Sequence, residues 1–290
     1  MANVVATSQG QKPAFPEDIE RAINQVLLDD ARDMCATMSL VASRFYAWTK
    51  PITFRTVVVR RHNNWRKRIN DLLLPNASFI RCLVIPGQLS GAELSHVRRL
   101  LESARQVLHL AVTWSLWAQL PRECGALGLE SLYLIWDGAS HISFPSLKLL
   151  QHPSALRDLT ISAPADLHDL TSFRTSGELY LPDTAHCTSL AYVTYAADRY
   201  TNPTVGSLCE DIPSLQGAMF VLVNIPEEIV KGEEDGMIAD DVAFYSRFST
   251  AYLPRASQVL GEWVAKMEGR PSVLVHPPPH AVESNVDDTE

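Results

Sequence analysis

The chain has 290 residues, which is enough for one large domain or two smaller ones. Apolar residues make up 46% of it and charged residues 20%, which is the composition of a globular protein with a sizeable core. The formal net charge of -8 argues against nucleic acid as the main partner, and no apolar stretch approaches the roughly 20 residues that cross a membrane.

The two ends of the chain are polar or rich in proline. We therefore expect residues 1–13 and 277–290 to be disordered. The first ten residues lack a basic region followed by an apolar one, so we expect no signal peptide and a cytoplasmic or nuclear location. The five cysteines show no C-x-x-C spacing, which indicates reduced, buried thiols.

Residues 14–53 are predicted to form short helices. Pro16 lies in the first turn of the first helix, where proline is tolerated, and acidic residues follow it near the positive end of that helix. The apolar stripe of this helix consists of Phe15, Ile19, Ile23, Val26 and Leu27. A second helix is predicted from about residue 32 to residue 48, and Pro51 is expected to end it.

From residue 54 onward the pattern apolar-x-x-apolar-x-apolar recurs. The five clear copies are Phe54/Val57/Val59, Ile80/Leu83/Ile85, Val107/Leu110/Val112, Leu129/Leu132/Leu134 and Leu156/Leu159/Ile161. Three weaker copies are Ser176/Leu179/Leu181, Leu190/Val193/Tyr195 and Gly217/Phe220/Leu222. The clear copies start 26, 27, 22 and 27 residues apart, which is the period of a leucine-rich repeat, about 20–29 residues. Each copy is predicted to be a strand, followed by a segment that crosses back to a parallel strand.

The segments between the copies carry helix signals in two places. Ser90-Gly91-Ala92-Glu93 is a capping box, and a shorter amphipathic stretch from Arg66 to Leu74 ends at Pro75. Regular leucine-rich repeats place asparagine in a fixed slot after the strand. The corresponding slots here hold His62, Gln88, Ser115, Asp137 and Pro164.

The expected fold class is therefore α/β. We predict a short N-terminal helical block, an irregular leucine-rich-repeat-like solenoid over residues 54–225, and an acidic connection with a capping helix within residues 226–276. The capping helix is predicted from Ala256 to Met267. Its apolar residues at helical spacing are Val259, Leu260, Trp263, Val264 and Met267.

Three segments of the N-terminal block follow one family pattern, namely Phe15-Pro16-Glu17-Asp18-Ile19, Leu40-Val41-Ala42-Ser43-Arg44-Phe45-Tyr46 and Pro51-Ile52-Thr53-Phe54-Arg55. They resemble an F-box, in the F-box-like form common in fungal proteins. The resemblance implies that the helices bind a Skp-type adaptor of a cullin-based ubiquitin ligase and that the solenoid binds a protein substrate. The implied adaptor-binding residues are Phe15, Pro16, Ile19, Leu27, Val41 and Phe45. The alternative is that these side chains pack against one another and against the first strands.

Side chains that alternate with the inward-facing leucines are expected to line the concave face, the usual recognition surface of a solenoid. The candidate substrate-binding residues are His109, Thr113, Ser131, Tyr133, Asp158 and Thr160. Trp114 and Trp136 each lie seven residues after the start of their copy, so we expect them to be stacked, buried neighbours.

A basic segment spans residues 55–68 and contains Trp65 but no acidic residue. Its cations are Arg55, Arg60, Arg61, Arg66, Lys67 and Arg68. Such a composition can bind nucleic acid or an acidic partner. The alternatives are a solvated face, or pairing with the seven acidic residues within 226–241.

The sequence contains no nucleophile elbow, phosphate-binding loop, dinucleotide fingerprint or H-E-x-x-H motif. The nearest remnants are Asp166-Leu167-His168-Asp169 and His186-Cys187, but residues adjacent in sequence rarely converge on one substrate atom. We therefore expect no catalytic residue, no metal and no cofactor. The leading hypothesis is a ligase adaptor subunit. The alternatives are a scaffold in which the F-box-like helices only cap the solenoid, and a nucleic-acid or small-molecule binder.

Overall fold

The structure is a computed structural model. It describes residues 16–30, 37, 40, 43–60, 64–137, 150–162, 187–198, 216–223, 248–253 and 255–275. The chain divides into two compact units, Met1–Arg55 and Thr56–Glu290.

The first unit contains two described helices, α1 (Glu17–Asp30) and α2 (Ser43–Thr53). The carbonyl of Pro16 accepts the first helical hydrogen bond of α1, from the Glu20 N–H at 3.0 Å. The two helices contact each other where the guanidinium of Arg21 lies 5.7 Å from the centre of the Trp48 ring. The prediction that Pro51 ends the second helix was wrong, because α2 continues through it to Thr53.

Within its described residues, the second unit is built on one sheet of eight parallel strands, hydrogen-bonded in chain order. The strands are β1 (Thr56–Val58), β2 (Cys82–Ile85), β3 (His109–Thr113), β4 (Ser131–Ile135), β5 (Asp158–Ser162), β6 (Tyr192–Asp198), β7 (Gly217–Val223) and β8 (Phe248–Leu253). The register aligns the repeats, so that Leu83 pairs with Leu110, Leu110 with Leu132, and Leu132 with Leu159. The fold is therefore of the mixed α/β class.

Parallel neighbours need a crossover between them, and helices supply most of the described ones. These helices are α3 (Trp65–Arg68), α4 (Gly91–Ser103), α5 (Trp114–Gln119) and α6 (Pro121–Gly125), with a π-helical turn at Ile69–Leu73 and 3-10 turns at Leu74–Phe79 and Pro153–Ala155. A further helix, α7 (Ala256–Met267), follows β8. The capping box at α4 is confirmed, since the Ser90 N–H donates to Glu93 Oε2 at 2.7 Å. The segment that was predicted to end at Pro75 instead continues as a 3-10 turn, where the Asn76 side chain donates to the Leu72 carbonyl at 2.8 Å.

Seven of the eight predicted copies coincide with strands, and the copy at 176–181 lies outside the described residues. The predicted end of the sheet at residue 225 was wrong. β8 adds a further strand within 226–276, paired in parallel with β7 from Ala218↔Phe248 to Val223↔Leu253. The segment Phe248–Leu253 lacks the leucine spacing of the earlier copies, so the repeat pattern did not identify it.

The sheet is buried on both faces, as is usual for parallel strands. One face carries the repeat leucines Leu83, Leu110, Leu132 and Leu159, all fully buried. The other face forms an apolar cluster with α7, in which Tyr133 packs with Val259 and Trp263. The expected role of α7 as a cap at the end of the sheet therefore requires correction. The helix packs on a sheet face, because Val259 and Trp263 belong to one buried cluster with side chains of that face and the Trp263 ring contacts the Tyr133 ring.

No helix in the described ranges combines the length and the apolarity that spanning a bilayer requires.

We predict that Val112→Ala lowers the free energy of unfolding by about 2 kcal/mol. Val112 is fully buried on the leucine face, so its truncation removes buried methyl groups and leaves a cavity. The matched control is Val273→Ala, at a side chain that is 47% exposed, with an expected change within about 0.5 kcal/mol. Denaturant unfolding measures both, and equal losses would contradict the assigned burial.

Candidate protein-interaction surfaces

An apolar stripe on α1 is exposed to solvent. Ile19, Ile23 and Val26 recur at helical spacing and are 44%, 47% and 61% exposed, respectively. Leu40, in the second predicted F-box segment, is 86% exposed. Burying these side chains against a partner would be favourable, because apolar area removed from water stabilises an association by about 25 cal/mol per Å² before binding costs.

The structure describes half of the six predicted adaptor-binding side chains. Pro16 and Ile19 are exposed. Phe45 is half-buried and makes an edge-to-face contact with Trp48, with 5.2 Å between the ring centres. Phe15 and Val41 lie outside the described residues, as does the side chain of Leu27, whose backbone belongs to α1.

The predicted substrate-binding side chains do form aligned rows across the sheet. His109 pairs in register with Ser131, and Ser131 with Asp158; Tyr133 pairs with Thr160 in the next row. The expectation that this face is open was nevertheless wrong. Five of the six residues are buried, namely Thr113, Ser131, Tyr133, Asp158 and Thr160, and His109 is half-buried. The physical reason is that α7 lies on this face.

Two contacts fix α7 on the sheet. The Trp263 ring lies 5.9 Å from the Tyr133 ring, centre to centre, and both side chains are buried. Lys266 Nζ forms an ion pair with Asp158 Oδ2, and both side chains are largely shielded from water. The sequence held a signal for this pair. Lys266 lies three residues after Trp263 and seven after Val259, on the apolar face of its helix. Asp158 directly precedes Leu159, a leucine of the repeat pattern.

The C-terminal end of α7 is defined by a helix stop. Gly269 has a φ of 70°, which favours glycine, and its N–H donates to the Lys266 carbonyl at 3.0 Å. The Arg270 N–H reaches the Ala265 carbonyl at 2.9 Å, which completes a Schellman motif. The chain then returns to the sheet, where Leu274 is fully buried in the same cluster as Trp263.

The described residues that replace the asparagines of a regular repeat lie at the carboxyl ends of the strands. Three of them form a ladder of hydrogen bonds from one repeat to the next. The Ser115 hydroxyl donates to Asp137 Oδ2, and Gln88 Nε2 donates to the Asp137 carbonyl at 2.8 Å. These hydrogen bonds join three successive repeats. In the sequence, the same residues were visible only as departures from the asparagine of a regular leucine-rich repeat. Trp114 and Trp136 are neighbours nearby, as predicted, with 4.8 Å between their ring centres. They meet edge to face rather than stacked, and Trp114 is buried whereas Trp136 is only half-buried.

The basic segment is only partly described. Arg60 and the three cations of α3 are exposed, and Arg61 lies outside the described residues, as do the acidic residues of 226–241. A pocket of about 300 Å³ lies beside Arg60 and is otherwise lined mainly by apolar groups, including Trp65, Ile85 and Pro86. A single exposed guanidinium on an apolar wall does not define a ligand class.

No catalytic constellation forms among the described residues. Asp166 to Asp169 and His186 lie outside them. Cys82, Cys124 and Cys187 are buried thiols that form no disulfide within the described part of the chain. Burial, and secondarily the Glu123 carboxylate, raises the pKa of the Cys124 thiol, so it stays protonated and a poor nucleophile. Within the described ranges, no three side chains of His, Cys, Asp or Glu are grouped to hold a metal ion.

Comparisons of the chain with protein-family models, with curated proteins and with solved structures found no match.

We predict that Tyr133 ionises at a higher pH than an ordinary tyrosine. Burial raises the pKa of Tyr133 to about 12 from its ordinary value of 10, and a hydrogen bond with the Ser162 side chain lowers it in part. Because the folded pKa exceeds the unfolded one, the stability that Tyr133 contributes is complete below pH about 10 and is lost as the pH rises through about 12.

Phenolate absorbance and urea unfolding across this pH range measure the effect, with Tyr133→Phe as the control. The variant should lose a phenol that titrates near pH 12, together with the corresponding fall in stability. An unchanged titration curve in the variant would contradict the buried site.

Proposed function

We propose that the chain is a substrate-recruiting, F-box-like adaptor subunit of a Skp–cullin ubiquitin ligase. The F-box-like helices would bind a Skp-type adaptor protein, and the unit of parallel strands would bind a protein substrate. The observation that carries the proposal is the exposed stripe of Ile19, Ile23 and Val26 on α1, within the segment whose sequence resembles an F-box.

The stripe favours this function over the alternative scaffold. A helix that only caps its neighbour buries its apolar side, because isolated short helices gain most of their stability from such packing. α1 instead leaves three large apolar side chains at 44–61% exposure. Exposed apolar side chains grouped on one helix face are typical of a protein-interaction site.

The second half of the proposal is that residues 54–225 and β8 form a leucine-rich-repeat-like solenoid. Eight parallel strands in chain order, with aligned leucines and a side-chain ladder at their carboxyl ends, support it. Each repeat of a solenoid contacts its neighbours only, so the stacked repeats form an extended unit to which a second macromolecule can bind. One face of its sheet is covered by α7.

The mechanism of such a subunit is tethering. One surface holds the adaptor and another holds the substrate, so the substrate's effective concentration at the ligase rises without any chemistry by this chain. The gain depends on both contacts being made at once.

We predict that the purified 290-residue chain binds a Skp-type adaptor with micromolar or tighter affinity. Ile23→Asp should weaken this binding by about 30-fold or more, since it places a charge in an apolar contact. The matched control is Asn24→Asp, which adds the same charge at a position roughly 100° or more around α1 from the stripe and should leave the affinity within about twofold. Isothermal titration calorimetry measures the three dissociation constants.

Circular dichroism must first establish that each variant is folded. The adaptor proposal is wrong if the folded wild-type chain does not bind at adaptor concentrations far above micromolar. Equal weakening by both substitutions places the contact elsewhere on the chain and contradicts the role of the stripe.

A further inference from the structure

The two faces of the sheet differ in how well their polar groups are satisfied. The leucine face is apolar, with Leu110 and Leu132 fully buried. The face beneath α7 buries the hydroxyls of Ser131 and Thr160, and neither has a hydrogen-bond partner among the described residues. Burial of unpaired polar atoms opposes the docking of α7, because these atoms lose hydrogen bonds to water.

Charged and indole groups at the same contact are also incompletely paired. Asp158 uses Oδ2 for Lys266, whereas its buried Oδ1 has no partner in the described part of the chain. The Trp263 Nε1–H is buried without an acceptor there as well. Ser131 and Asp158 are register partners on neighbouring strands, so both unpaired oxygen atoms belong to the same row of the sheet.

A lysine cannot hydrogen-bond to both oxygens of the Asp158 carboxylate as well as an arginine can. An ammonium group is a compact point charge, whereas a guanidinium presents five N–H donors in a planar fork that matches both oxygens of a carboxylate. An arginine in the position of Lys266 could bind both Oδ1 and Oδ2 of Asp158. The site thus fits a helix that carries a better cation than the one supplied by this chain.

We propose that the sheet face beneath α7 is a binding site for an amphipathic protein helix, and that α7 occupies it as an internal ligand. The external ligand is a helical segment with a large aromatic residue and, three residues later, an arginine or a lysine, as in Trp263 and Lys266. This inference rests on the proposed function in one respect, namely that the unit of parallel strands is the part that binds substrate.

Occupation by α7 regulates the site by competition. An external helix binds only the fraction of molecules in which α7 has left the face, so its apparent affinity is reduced by that fraction. Weakening the contact of α7 raises the fraction and tightens the binding of the external helix. The ligand in trans and α7 in cis compete for Asp158 and for the ring of Tyr133.

The test uses the 290-residue chain and a fluorescent peptide with the sequence of residues 255–275. The chain variant Lys266→Glu places a carboxylate opposite Asp158, and it should bind the peptide about tenfold or more tighter than the wild type does. A peptide carrying Lys266→Arg should bind tighter than the wild-type peptide, and a peptide carrying Lys266→Glu should bind about tenfold or more weakly. Fluorescence anisotropy measures each dissociation constant.

Equal binding of all three peptides, or equal binding by both chains, overturns the proposal, because the peptide then binds elsewhere. Absence of binding to a folded Lys266→Glu chain also overturns it. If that variant does not fold, amide hydrogen exchange of the wild-type chain tests whether α7 leaves the sheet more readily than the strands open. The amides of α7 should exchange through an opening that costs less free energy than the opening of β4 and β5, whereas identical values overturn the proposal.

No adaptor is present in these measurements, and every substitution lies within residues 56–290. Failure of the peptide test therefore leaves the adaptor titration unaffected. Failure of the adaptor titration with success of the peptide test would leave a helix-binding protein that is not a ligase subunit.

Discussion

The parallel register of the strands is the constraint on which the rest of the second unit depends. Each strand pairs with the next one in the chain, so the repeat positions fall into rows across the sheet. One set of rows consists of the buried repeat leucines, and the alternate set brings Ser131, Tyr133 and Asp158 to the opposite face. A slip of one residue in any strand would exchange these two sets.

The repeat spacing predicted most of this sheet because the pattern is local. Leu-x-x-Leu-x-Leu identifies a strand from six residues, and the capping box at Ser90 identifies the start of α4 from four. The register followed from the same spacing, so the rows of predicted substrate-binding residues are aligned as expected. The exposed stripe of α1 was likewise visible as a helical period, although periodicity cannot distinguish a core face from an interface.

The position of α7 could not be predicted in the same way, because it depends on contacts between residues about a hundred positions apart. The helical spacing of Val259 and Trp263 predicted that this side of α7 packs against an apolar surface, but it did not identify that surface. The ion pair of Lys266 with Asp158 and the ladder of Ser115 with Asp137 are also long-range. Lys266 is a charged residue on the apolar face of its helix, and Ser115 and Asp137 occupy the slots in which a regular repeat has asparagine. These departures were the signals that the sequence offered.

The central claim is that the chain covers one face of its own sheet with α7. Pulsed hydroxyl-radical labelling of the intact protein tests it directly, with Tyr46, which is 40% exposed, as the internal reference. We expect Tyr133 and Trp263 to react far more slowly than Tyr46 in the folded chain. After unfolding in urea, the two tyrosines should react at similar rates. Reaction of Tyr133 at the rate of Tyr46 in the folded chain would contradict the account.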